Sequence, residues 1–180
     1  MPSNVPGIDE SLPFVPCRIA VVTVSDTRTE TNDTSGAVLV ERASAAGHEV
    51  RARVLVPDDS QRIVVVLEGF VADPQVDVVL MTGGTGVTGR DVSPEAVRRV
   101  IDKEIPGFGE LFRWLSYQKI GASTIQSRAL AGVARGTYIF ALPGSPGACR
   151  DAWDGILATQ LDCRHRPCNF MELLPRLMET

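Results

Sequence analysis

Cysteine, histidine, aromatic residues and long apolar runs are all scarce in this 180-residue chain, and each scarcity closes off a class of protein. Four scattered cysteines, Cys17, Cys149, Cys163 and Cys168, are too few for a disulfide scaffold and read as reduced thiols of an unsecreted chain. Cys163, His165 and Cys168 would make half a zinc site, but no second Cys/His pair stands nearby to complete a tetrahedral shell. No apolar stretch approaches the ~20 residues that cross a bilayer, and no basic stretch near Met1 leads into an apolar one, so a cytoplasmic location and no membrane partner are expected. Basic residues are not in excess: 18 Lys and Arg against 22 Asp and Glu give a net charge of −4. That balance argues against DNA or RNA as the main partner. What is present is 44% hydrophobic residues, enough for one domain with its own core.

Residues 1–16, with four prolines and no periodicity, predict a flexible N-terminal arm, leaving 17–180 as a single domain. "RIAVVTVS" (Arg18 to Ser25) is a continuous β-branched run, the pattern of a strand covered on both faces. "SGAVLVERASAAG" has helical spacing and ends at Gly47, and "HEVRARVLV" alternates as a strand closed by Pro57. The alternation continues with a helix near Ser60 to Ala72, the strand "VDVVLM", a helix opening at Ser93-Pro94 and two helical stretches between Gly107 and Val133. The strand "TYIFAL" follows, and then a long helix from "SPGACRDAWDGILATQL". Strands separated by such helices predict an α/β fold, a doubly wound and mostly parallel sheet with helices on both faces.

"LMTGGTGVTGRDVSPE" (Leu80 to Glu95) holds two near-motifs for phosphate. Gly84, Gly86 and Gly89 spell G-x-G-x-x-G, but a dinucleotide site needs its helix to begin inside the motif, and here it begins only at Ser93-Pro94. Gly84 and Gly89 also mimic a Walker loop, yet Arg90 and Asp91 stand where lysine and a hydroxyl are required. What remains is a loop with four glycines and three threonines from Thr82 to Gly89, at the carboxyl end of a buried strand. Backbone N–H groups and hydroxyls there can approach an anion closely. An aspartate at the end of the loop cannot donate to phosphate, but it can hold a cation.

Three other loops end strands in the same way: "SDTR", with Asp33, Ser35 and Gly36 beyond it; "PDDS"; and "LPGSPG", which opens a helix. All four loops are expected on one rim. Asp58 and Asp59 could instead cap the helix near Ser60, and Ser145 could cap the last one.

These stretches together, "TVSDTR" with "DTSG", "PDD", "TGGTGVTGRDVSPEA", "PGFGELFRWLS", "SRALAG" and "LPGSPGA", resemble the molybdenum-cofactor biosynthesis family of MoaB and Mog from about Ile19 to the C-terminus. "SYQKIGASTIQSRALAG" and "RPCNF" resemble the MoaB branch. The resemblance implies adenylyl transfer to molybdopterin from ATP with magnesium, Asp58 and Asp91 being the two carboxylates that catalyse it and hold the metal. It further implies a pterin and phosphate cradle of Thr82, Gly83, Gly84, Thr85, Gly86, Gly144 and Ser145. A nucleotide side of Ser25, Asp26 and Asp33 would face it. Glu110, Arg113, Ser116, Ser127 and Arg128 fall in matching stretches and would complete the pterin pocket, or be helix-surface residues. Because the resemblance is to the MoaB branch, it also implies an alternative, a molybdopterin-binding module without turnover. The resemblance also implies a homotrimer, or a hexamer of trimers, with other cofactor-biosynthesis proteins as partners.

Overall fold

The computed structural model describes residues 6–179. In chain order its strands are Gly7–Ile8 (β1), Arg18–Val24 (β2), Glu49–Val56 (β3), Val78–Thr82 (β4), Lys103–Glu104 (β5), Leu130–Ala134 (β6), Thr137–Leu142 (β7) and His165–Arg166 (β8). The helices are Thr34–Ala45 (α1), Ser60–Ala72 (α2), Ser93–Arg98 (α3), Pro106–Ile120 (α4), Pro146–Ala152 (α5), Ala158–Gln160 (α6) and Phe170–Leu173 (α7). A π-helical turn, Trp153–Leu157, joins α5 to α6. None of the described helices is long and apolar enough to cross a membrane.

Six strands form one sheet in the order β3-β2-β4-β7-β6-β5. The first four are parallel, and β6 and β5 run antiparallel at one edge. Alternate residues of β2 face opposite sides: Ile19 and Val21 join one core, Ala20, Val22 and Val24 the other. The first core is closed by Leu39 of α1, Phe108 and Phe112 of α4 and Cys149 of α5. Ile63 and Leu67 of α2, with Ala96 and Val97 of α3, close the second. Both sheet faces are therefore covered, which is why these strands carry unbroken apolar runs. The chain winds outward from β2 to β3, then returns to place β4 on the other side of β2, so the strand order reverses between β2 and β4. Open α/β sheets bind ligands at such a reversal, beyond the carboxyl ends of the strands.

Two expectations need correction. The helical stretches expected between Gly107 and Val133 are α4 and a 3-10 turn, Gly121–Gln126, but residues 130–134 form β6. A two-residue turn makes it a hairpin with β7: Arg135 (φ 43°) and Gly136 (φ 90°) both have positive φ, as a tight hairpin of that hand requires. Small side chains hide the strand, since Gly132 lies so close to Ile101 that an added Cβ would sit 2.7 Å from its Cδ1.

The expected flexible arm is, over its described part, folded onto the domain. Gly7 and Ile8 pair antiparallel with Arg166 and His165. The Phe14 ring lies 5.2 Å from the His48 ring and under the Arg164 guanidinium, while Val15 N–H donates to Cys163 Sγ. Phe14 and Leu12, both partly buried, supply apolar surface that the proline-rich composition conceals. Met1 to Val5 of the expected arm lie outside the described residues.

Candidate active site

The four loops that follow β2, β3, β4 and β7 share one edge of the sheet, as parallel strands dictate, and they touch. Ser25 N–H donates to Val56 O, and Gly83 N–H to Leu142 O. Glycine is needed at Gly83, where φ is 107° and an added Cβ would stand 2.2 Å from Val24 O; at Gly84 φ is 65°. Gly89 is different. Nothing lies within 4 Å of where its Cβ would be, so the third glycine of the apparent dinucleotide fingerprint has no packing role.

Ser93, the first residue of α3, does not cap that helix. Its side chain donates to Gly83 O (2.7 Å) and its N–H to Gly84 O (3.0 Å), tying the glycine loop to the start of the helix. Asp59, one of the two candidate caps for α2, takes that role by accepting from Arg62 N–H, which leaves Asp58 free for the rim.

Asp58 and Asp26 bind each other's backbone: Asp26 N–H donates to Asp58 Oδ2 (3.1 Å) and Asp58 N–H to Asp26 Oδ1 (3.0 Å). Arg90 pairs with the other oxygen of Asp26. The Asp91 carboxylate accepts from both Thr88 N–H (2.8 Å) and Thr88 Oγ1 (2.7 Å). These two carboxylates are in opposite electrostatic states. Burial, and then the negative charge of Asp91, hold Asp58 above the usual carboxylate range. Asp91 is held below that range by its Thr88 hydroxyl bond first, with the Arg128 charge a lesser contribution. They flank one strip of backbone: an added Cβ on Gly84 would lie 3.3 Å from Asp58 Oδ1, and one on Gly86 2.8 Å from Asp91 Oδ2. Among the described residues no group of three or more His, Cys, Asp and Glu gathers to hold a metal ion.

Beside this strip opens a cleft of about 470 Å³, lined by Gly84, Thr85, Gly86 and Asp91 on one side, Phe112, Ser116 and Ile120 of α4 on another, and Pro143 to Ser145. Ser123, Thr124 and Gln126 of the 3-10 turn complete its wall; they lie within "SYQKIGASTIQSRALAG", but nothing in their residue types singles them out as site residues. Glu110 and Arg113 line a different hollow of about 290 Å³ on the far side of Ser127 and Arg128.

Three expected ligand residues are engaged within the protein. The side chain of Asp33 is fully buried, accepting from Thr23 Oγ1 (2.8 Å), Gly36 N–H (2.9 Å) and Arg53 (2.9 Å). It caps α1 and offers no oxygen to a nucleotide. Thr82 is likewise buried and donates to Pro143 O, so the cradle begins at the backbone of Gly83 and Gly84. Arg128 spends its nitrogens on the glycine loop, donating to Gly86 O and Asp91 O and pairing with Glu95. Ser145 does cap α5, accepting from Ala148 N–H (3.1 Å), and still lines the cleft. Ser25 bonds within its own loop, accepting from Thr27 and Arg28 N–H.

Residues 20–162 match the family model described as a probable molybdopterin binding domain. The chain is 52% identical over 160 residues to the molybdenum cofactor biosynthesis protein B of Escherichia coli, covering 89% of this chain and 94% of that one. It is 41% identical over 142 residues to a protein of Methanocaldococcus jannaschii named probable molybdopterin adenylyltransferase, covering 75% and 84%. The fold superposes on a crystal structure of molybdenum cofactor biosynthesis protein B with a TM-score of 0.80 at 45% identity, covering 82% of this chain and 92% of that one.

Proposed function

The chain belongs to the molybdopterin-binding domain family of molybdenum-cofactor biosynthesis, and from that premise we propose that it adenylylates molybdopterin with ATP and magnesium. The observation that carries the proposal is the pair Asp58 and Asp91 on either side of the Gly84 to Gly86 backbone, Asp91 lining the cleft and Asp58 standing behind Gly84. A ligand phosphate in the cleft would lie against the backbone of Gly84 to Gly86 and near the start of α5 at Ser145. The nucleotide would approach from the Ser25 and Asp26 side.

The residues fit a magnesium ion. Burial first and then the negative charge of Asp91 raise the pKa of Asp58, and a cation bound near these carboxylates would offset both. Magnesium is commonly held by one or two carboxylates, with substrate phosphates and water as the other ligands, so two aspartates suffice. When bound, the ion would neutralise charge building on the α-phosphate and on the departing pyrophosphate. The protein's part is positioning: backbone N–H groups orient the pterin phosphate, and Asp26 fixes Asp58 through the reciprocal bonds. An oxygen of the molybdopterin phosphate then bonds to the α-phosphorus of ATP, the bond from that phosphorus to the β-bridging oxygen breaks, and pyrophosphate leaves.

The second reading, a binding module without turnover, draws on the cleft itself, whose lining does not include Asp58. Incubating the protein with molybdopterin, ATP and magnesium separates the two. Formation of adenylyl-molybdopterin and pyrophosphate supports the transferase; saturable molybdopterin binding with no product leaves the module.

A further inference from the structure

We propose that Arg128 is a positioning residue, which holds the glycine-rich loop in the shape that presents the Asp91 carboxylate, and is not itself a ligand of pterin or phosphate. Its kinetic consequence rests on the adenylyl-transfer reading; its structural content does not.

Three backbone oxygens converge on this residue from both ends of the loop. Its Nε donates to Gly86 O (2.6 Å), its Nη2 to Asp91 O (2.6 Å), and its own N–H to Thr85 O (2.9 Å). Its Nη1 pairs with Glu95, on the helix the loop leads into. Between those anchor points Val87, Thr88, Gly89 and Arg90 are all exposed. Within the loop, Thr88 and Asp91 bond to each other, and Arg90 reaches out to Asp26. The first contact stays within the loop and the second reaches only another rim loop, through a largely exposed ion pair, so neither ties both ends of the span to the sheet. Arg128 does, because it stands immediately before β6, in a stretch where Arg113 also grips Ala129 O (3.0 Å). The planar fork presents three separate nitrogens to Gly86 O, Asp91 O and Glu95, a spread that the single nitrogen of a lysine ammonium does not cover.

The test follows the amide of Thr88, whose bond to Asp91 Oδ2 reports whether that carboxylate is in place. In Arg128→Ala and Arg128→Lys, Thr88 amide exchange measured by NMR should quicken by about tenfold. Turnover should fall by about tenfold or more, since small misplacements of catalytic groups are costly. The molybdopterin Kd should stay within about twofold of the parent, because a pterin contact has not been lost. Lysine should not rescue. Unchanged Thr88 exchange together with weakened molybdopterin binding would make Arg128 a ligand contact and overturn the proposal, as would full rescue by lysine. If Arg128→Ala does not fold, Arg128→Lys, which keeps the stem and the charge, decides alone. If the parent protein forms no adenylylated product, the function fails, while exchange and binding still decide the role of Arg128.

Discussion

Two aspartates of the rim look alike in sequence and behave oppositely. Asp91 sits at the mouth of the cleft, where Asp91→Asn keeps the shape and removes the charge a magnesium ion needs. Turnover should drop by at least about a hundredfold, or ~2.7 kcal/mol of barrier, with the melting temperature almost unmoved. Asp58→Asn should behave likewise, and under the proposed function, in which both would serve one metal-substrate unit, the double variant should be barely worse than either. Asp33 is the reverse. Burial alone would raise its pKa, but bonds from Arg53, Gly36 N–H and Thr23 together hold it below the usual range. A depressed carboxylate stabilises the fold above its unfolded value of 3.8 and loses that contribution as pH falls through the folded one. Asp33→Asn should cost about 3 kcal/mol in urea unfolding at neutral pH, by stranding the buried Arg53 bond, and should flatten the acid limb of stability. The sequence could not separate these two, since "DTSG" reads equally as a ligand loop and as a helix cap until the side chain's neighbours are known.

At the scale of elements, the N-terminal segment is the part to test. Phe14 lies over His48 and against Gly47, the positive-φ residue that ends α1. Phe14→Ala should cost about 2 kcal/mol, less than a fully buried ring because Phe14 is half-buried. Beneath it, burial holds the pKa of His48 below 6.5, outweighing the opposing pull of Asp162. A histidine kept neutral by the fold stabilises above its unfolded pKa, so this contribution should fade as pH drops below 6.5. Thermal melts of the parent and of His48→Gln between pH 5 and 8 check this: only the parent should lose stability towards the acid end. The strands β2, β3, β4 and β7 and the helices α1 and α2 were legible because each shows one clear periodicity. The strand β6 was not, because "LAGVA" is short, small and without alternation, and only Arg135-Gly136 between two apolar runs hinted at a hairpin.

On the scale of the whole molecule, parallel strands made the rim legible, since loops after consecutive parallel strands must emerge together. The partners of individual side chains were not, which is why Ser123 and Gln126 stood out in no reading of residue types and why the grip of Arg128 on main-chain oxygens is visible only in the folded chain. The outer surface carries one further expectation. Trp114 and Tyr117 of α4 are 60% and 57% exposed, and Ile125 in the adjoining turn 82%. Aromatic residues left in water on one helix are typical of the centre of a protein interface. Sedimentation at micromolar concentration should show a homotrimer or hexamer, and Trp114→Glu should shift it to monomer while leaving the fold intact; a monomeric parent would refute this.

The grip of Arg128 on main-chain oxygens also bears on how this site can evolve. Backbone carbonyls are the same whatever side chain a residue carries, so the grip of Arg128 is uncoupled from the identities at Val87 and Gly89, both of them exposed. Gly89 needs no glycine, and Val87 has no partner to lose. Two adjustable positions, Val87 and Gly89, thus stand on a frame that does not register their substitution, while Arg90 stays tied to Asp26. Selection, in nature or in a library, can retune what the loop touches without first having to rebuild the loop.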